Sequence, residues 1–537
     1  MGWVNVGLPR LRAAPVTRET AGFGNRLMGQ EQRRNFLFAT AWLTIAGCAT
    51  VHPRPDYDRA AARITGATGQ AEVYQPGDEE ACTARVDELL EGGITADEAV
   101  QICLLNNPSL QAAFMDIGIA RADLVQAGLL SNPSLSASLR LPSGGGLTNV
   151  EVGLAQNIAD LWQIPPRKRA AERSLDRTIV DLARRAASLA AEAKAAYFQA
   201  VGAQERHAIS QQNLEVAKTL LDLAQARQQA GAATELDTNL SRSSVLQAEL
   251  AVESDRLAAA DGRRTLATLL GLTTNADSLV LLDPLPEVPS TLPDVEQLVE
   301  VAMSSRLDLR AAEQAVAAAE AELLQQYRRV FPRVDVGLAL ERAERKSQGK
   351  RDVLADTARA SIANGGLTAP EIQPRSARKQ HTDLIIGPSI DLELPIFDQN
   401  QAQIAKARFT YEQADKTLEA LERSVSQEVR GAVDKLQTAW KVAQVYRDRS
   451  IPLAQSNLDL SRDAYQAGRA SFLTVLEAQR VFLDSRARYV DAAQTAASAI
   501  PELERTVGIP FRELASTIPD APPTESEGNQ PLERSSQ

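Results

Sequence analysis

Three cysteines and three histidines are the residues of this 537-residue chain best suited to metal, thiol or proton chemistry. The histidines, His52, His207 and His381, are far apart, which argues against a histidine-based metal site or triad. No HExxH, CxxC or GxSxG run occurs, so the short signatures of zinc hydrolysis, thiol exchange and acyl transfer are missing. Gly144-Gly145-Gly146 lies between two alternating segments and reads as a hairpin tip, not a phosphate cradle opening a helix. The chain therefore reads as a non-enzyme with no catalytic residue, metal ligand or bound cofactor. Its formal charge of −11 argues against nucleic acid as a partner.

Cys48 stands apart from the other thiols. It ends the apolar run Phe36–Gly47, too short to span a bilayer as a helix but suited to a signal-peptide core, with Arg33 and Arg34 as the positive flank. Ile45-Ala46-Gly47-Cys48 resembles the bacterial lipobox, whose cysteine takes a diacylglyceryl thioether and becomes residue one; Leu is commoner than Ile at its first position. The alternative is an ordinary cleaved signal with an incidental cysteine. Residue 49 is Ala rather than Asp, which by the same resemblance implies outer-membrane sorting. Residues 1–47 are expected to be removed, with Met28 a plausible true start. The mature chain then carries 52 basic and 67 acidic residues, a net −15. No later stretch approaches about 18 apolar residues, so lipid and strands must hold the chain in a membrane.

The chain is written twice. Gly231 and Gly468, Leu270-Gly271-Leu272 and Val507-Gly508-Ile509, and the Ala-rich helices around Ala195 and Ala432 share an offset of 237. Upstream, Asn107–Ala113 matches Arg306–Ala312, and Pro133 matches Pro332, at an offset of 199. The change in offset places an insertion in the second copy, where the polar stretch 342–381 reads as an enlarged loop. The expected organisation is 48–94 N-terminal arm, 95–272 first repeat, 273–292 linker, 293–510 second repeat and 511–537 polar disordered tail.

Each copy reads helix, strand, loop, strand, long helix, turn, helix. Leu135, Ala137, Leu139 and Leu141 alternate with Ser134, Ser136, Ser138 and Arg140; the segments at 149–154, 334–341 and 383–394 repeat the pattern. One apolar and one polar face suits a water-filled membrane barrel or a half-exposed soluble sheet alike. Four strands cannot close a barrel, whose smallest members have about eight. In lipid, open edges would cost several kcal/mol per unpaired group. Copies must pool their strands: eight in a dimer, twelve in a trimer.

Helical composition runs from about Pro166 to Ala230 and from about Asn400 to Ala467, roughly 100 Å each at 1.5 Å per residue. Such helices need neighbours along seams like Leu214, Ala217, Leu221 and Ala224. Shorter partners, about Thr234–Gly271 and Ser471–Gly508, double back after the glycine turns. Pro452 has Glu215 as its counterpart, so only the second long helix is expected to bend, near Ser450-Ile451-Pro452.

Asn107-Pro108-Ser109-Leu110, Gln126-Ala127-Gly128 to Asn132-Pro133, Leu394-Pro395-Ile396-Phe397-Asp398 and the two Gln-Ala-Gly turns together resemble the TolC-like outer-membrane efflux family over about 95–510, in its lipidated branch. The resemblance implies a mainly α protein with a small transmembrane β part: a homotrimer with a shared 12-stranded β-barrel above a trimeric α-helical tunnel. It implies a periplasmic adaptor and an inner-membrane RND transporter or ABC exporter as partners, with drugs or metal ions as cargo. A type I secretion duct shares the fold, and a structural periplasmic rod is the remaining reading, though a rod has no use for strands. The family's tip carries acids at the positions of Thr474 and Glu477 and an acid at Asp237 that ties the closed tips; here Thr474 departs. The usual arginine falls at Ala470, and Arg469 is the nearest cation. Gly231, Gly468, Asp237, Arg469 and Glu477 are thus the expected periplasmic tip and gate. In an oxidising compartment, Cys82 and Cys103 are expected to form a disulfide, with two free buried thiols as the alternative.

Overall fold

A computed structural model describes residues 50–141, 148–273, 276–287, 294–330, 333–345, 353–367 and 381–516. Cys48, the proposed signal peptide and the Gly144–Gly146 tip lie outside these residues.

The N-terminal arm forms helices α1 (Arg54–Thr68) and α2 (Glu79–Leu90). The first repeat opens with α3 (Ala96–Asn106), started by a reciprocal cap between Thr95 and Glu98. Asn107 then accepts from the amides of Ser109 and Leu110, and with Pro108 in the first helical turn it starts α4 (Pro108–Ala127). Strands β1 (Ser134–Arg140) and β2 (Asn149–Asn157) follow, then the 70-residue α5 (Asp160–Gln229) and α6 (Glu235–Leu269). The second repeat gives α7 (Val295–Ser305), α8 (Leu307–Arg328), β3 (Val334–Arg345) and β4 (His381–Leu392). Its long helix is α10 (Gln401–Val445) continued by α11 (Ile451–Gln466), and α12 (Phe472–Val507) returns.

The enlarged loop holds more order than its composition suggests, because Val353–Ala363 forms helix α9 between β3 and β4. The tail likewise begins with a short helix, α13 (Phe511–Ser516). The segment read as a linker is packed down. The Ile94 amide donates to Val280 O (2.9 Å) and the Leu282 amide to Ile94 O (3.0 Å), and the Tyr197 hydroxyl donates to Ile94 O (3.0 Å) while accepting from the Asp283 amide (2.8 Å).

The strands form one antiparallel sheet in the order β1-β2-β3-β4, so the two copies meet where β2 pairs with β3. Apolar residues line up in transverse rows: Leu135, Leu154, Leu338 and Pro388 in one, Ala137, Val152, Leu340 and Ile386 in the next. This face is bare in the single chain, with Leu135 74% exposed. The other face bears small and polar residues such as Ser136, Gly153 and Ala339. Strands β1 and β4 are left as open edges. Among the described residues no helix is long and apolar enough to cross a membrane.

The helices pack through alanine. Ala183, Ala186, Ala190, Ala193 and Ala196 on α5 are buried, and small side chains let axes approach closely. Gly262 on α6 shows the limit: a Cβ there would sit 3.1 Å from Ala200 Cα.

The long helix of the second copy is interrupted, while α5 runs through. Tyr446–Ser450 form a π-turn in which the Ile451 amide bonds Tyr446 O, five residues back. Pro452 follows at once; lacking an N–H and crowding the preceding turn, it disfavours an uninterrupted α-ladder there. This π-turn adjoins the stretch where a bend is expected, and it lies on the second long helix only.

Candidate functional site at the two helix turns

The long helices end in matching turns. Gly231 (φ 70°) and Gly468 (φ 71°) take the left-handed conformation that ends a helix without a Cβ penalty. The Ala232 amide then donates to Arg227 O (2.7 Å), and the Arg469 amide to Ala464 O (2.8 Å). Thr234 and Ser471 cap the returning helices.

One side chain ties the two turns together. Arg227, in the last turn of α5, donates from Nη1 to Tyr465 O (2.8 Å) and Gln466 O (3.3 Å) at the end of α11. Its guanidinium lies 4.4 Å from the centroid of the Tyr465 ring, which packs 5.4 Å from Phe472 at the start of α12. Leu220, Ala224, Leu458 and Val475 complete a small apolar core. Burial raises the Tyr465 phenol above its ordinary pKa, with Arg227 pulling the other way. Arg227 and Tyr465 were not singled out from the sequence. A cation in the last turn of one helix, beside a neighbouring helix's terminal carbonyls, was the available signal.

The expected gate residues divide. Asp237 is half-buried and caps its own helix: Oδ2 accepts from the Thr234 amide and hydroxyl, both at 2.9 Å, and its amide donates to Thr234 Oγ1 (3.2 Å). Arg469 is exposed, and its side chain has no ion-pair partner among the described residues, so within one chain the structure does not join Asp237 to Arg469. Glu477 is exposed on α12, on a ridge between two grooves of ≈ 500 and ≈ 480 Å³. The first is also lined by Asn213 of α5 and Gln247 of α6, the second by Ala454 and Ser461 of α11.

The disulfide expectation is corrected. Cys82 and Cys103 are free thiols, the first half-buried and the second fully buried. Cys103 Sγ is turned toward Leu269 O on α6 at 3.3 Å. Burial pushes its pKa up to about 12, and raises that of Cys82 as well. Among the described residues no group of three or more His, Cys, Asp or Glu could hold a metal ion.

The chain is thus a duplication with paired long helices, one half-bare sheet and a joined pair of turns. It matches the outer membrane efflux protein family over residues 99–272 and 298–508, nearly the whole of both repeats, and belongs to that family. It is thus an outer-membrane efflux channel. Among curated relatives, the cobalt-zinc-cadmium resistance protein CzcC of Cupriavidus metallidurans is 25% identical over 64% of this chain and 73% of its own length. Outer membrane protein OprJ of Pseudomonas aeruginosa is 26% identical over 87% of this chain and 94% of its own. The solved outer-membrane channel OprN superposes with a TM-score of 0.59 at 21% identity, covering 82% of this chain and 95% of OprN.

Proposed function

We propose that the chain is the lipid-anchored exit duct of a tripartite pump, carrying drugs or metal ions delivered by an inner-membrane transporter through a periplasmic adaptor. Three copies pool their sheets into a twelve-stranded barrel, and their helices form the tunnel below. The observation that carries this reading is the open sheet: an apolar face and two unpaired edges cannot persist in lipid, where each orphan backbone group costs several kcal/mol. Closure by further copies satisfies every edge. The name of CzcC supports metal cations as one cargo class. At the tip, Glu477, with Asp237 and Arg469 of adjoining copies, forms the gate. The thioether at Cys48 supplies the anchor, and the insertion at 342–381 reaches the cell surface.

Detergent-extracted protein should contain three chains by light scattering and should form cation-conducting pores in a planar bilayer, with cation preference reduced by Glu477→Ala. Mass spectrometry should find the mature N-terminus at an acylated Cys48. A water-soluble monomer without conductance would sink the channel reading; an unmodified N-terminus elsewhere would remove only the anchor.

A further inference from the structure

All four strands join the helices at the same end of the sheet, where Asn157, Asp335 and Asp391 share a row. The stretches at this junction, 158–173, 324–335 and 394–409, hold nine Lys/Arg against four Asp/Glu, in a chain whose formal charge is −11. Three different helices each bring an aromatic ring and an unpaired cation toward the sheet: Trp162 and Arg169 on α5, Tyr327 and Arg328 on α8, Phe409 and Lys406 on α10. The rings are 37%, 53% and 68% exposed. The three cations are exposed and have no hydrogen-bond or ion-pair partner among the described residues. Arg167 shows the contrast, since it is fastened to Ala127 O (2.8 Å) and Leu129 O (2.7 Å) and serves the fold.

We propose that this collar binds anionic phospholipid headgroups of the periplasmic leaflet of the outer membrane, a reading that rests on the sheet being inserted in that membrane. The amphipathic rings of Trp162 and Tyr327 suit headgroup depth, and long cationic side chains reach the phosphates above an apolar boundary. The collar lies at the end of the sheet from which the helices leave, so lipid that covers the strands ends at this junction. Each Lys or Arg near an anionic surface strengthens binding there by roughly fivefold.

The test uses the full chain in phosphatidylcholine vesicles containing phosphatidylglycerol, with bromine near the headgroup end of the acyl chains of one lipid or the other. The fluorescence lost in Trp162→Phe isolates Trp162 from the chain's other tryptophans, of which Trp440 lies far along α10. The Trp162 signal should be quenched more by brominated phosphatidylglycerol than by the same mole fraction of brominated phosphatidylcholine. Exchanging Arg169, Arg328 and Lys406 for Gln should abolish that preference while quenching by phosphatidylcholine persists. Equal quenching by both lipids in the parent protein overturns the proposal. So does absence of quenching in protein that resists carbonate extraction, which would mean another copy covers the collar. Protein that carbonate strips from the vesicles would instead refute membrane insertion itself.

Discussion

Arg227 and Tyr465, 238 residues apart, are joined by a 2.8 Å hydrogen bond to the tyrosine carbonyl and by a guanidinium lying 4.4 Å from its ring centroid. This contact holds the turn of one repeat to the turn of the other. Arg227→Ala removes a charged hydrogen bond and a cation–π contact, together about 2–4 kcal/mol. Amide exchange across 458–475 should accelerate, and bilayer conductance should rise. Arg227→Lys should retain part of the effect, because an ammonium cannot serve two carbonyls and the ring as the flat fork does. Unchanged exchange in Arg227→Ala would show that the apolar core alone holds the turns.

The turn glycines carry a conformational demand that can be measured separately. Gly468→Ala forces a Cβ into the left-handed region at φ 71° and should destabilise the tip by about 1–2 kcal/mol. Gly468→Asn should cost less, since Asn tolerates that region. Local exchange at 464–472 distinguishes the two.

The Cys103 thiol predicts a dependence on alkaline pH. Burial raises its folded pKa from 9.0 to about 12, so the unfolded chain loses this proton first. Its contribution is complete below pH 9 and declines as pH rises toward 12, by a few kcal/mol at the upper end. The stability difference between the parent protein and Cys103→Ala should shift with that sign over pH 9–12. At neutral pH, maleimide should label Cys82 well before Cys103, and both should be found as thiols.

The π-turn should depend on Pro452. Pro452→Ala restores an amide and removes the ring clash, allowing an α-ladder through 446–456. The Arg447 guanidinium, now 5.7 Å from the Trp440 ring centroid and paired with Glu287 at 3.0 Å, should move away from one of them. Trp440 emission reads this out; an unshifted spectrum would assign the π-turn to its packing instead.

Much of the architecture was visible in the residues. Alternation from Ser134 to Arg140 marked a strand because side-chain direction has a period of two, and the offset of 237 revealed the duplicated helices. Pro452 announced its break because proline acts on its own backbone. Contacts between distant segments were harder to read. Nothing local says that Tyr197 fastens Ile94 to Asp283, so the linker looked loose. Asp237 was noticed for its charge, yet Thr234 three residues before it was the sign of a cap. The cysteine spacing permitted a bridge, but side-chain direction on two separate helices decides bridging, and Cys103 turns to α6.

The π-turn has a last consequence. It sets one wider turn into the second long helix where α5 runs as regular α-helix. Beyond it Leu220 is buried while Asn457, 237 residues on, is exposed, yet Ala217 and Ala454 at the same offset are both buried. The two hairpins are therefore kin in sequence but differ in backbone at the π-turn, which α5 lacks. A ring made from copies of this chain presents two alternating kinds of rim position, and whatever grips that rim meets the symmetry of the copies, never twice that symmetry.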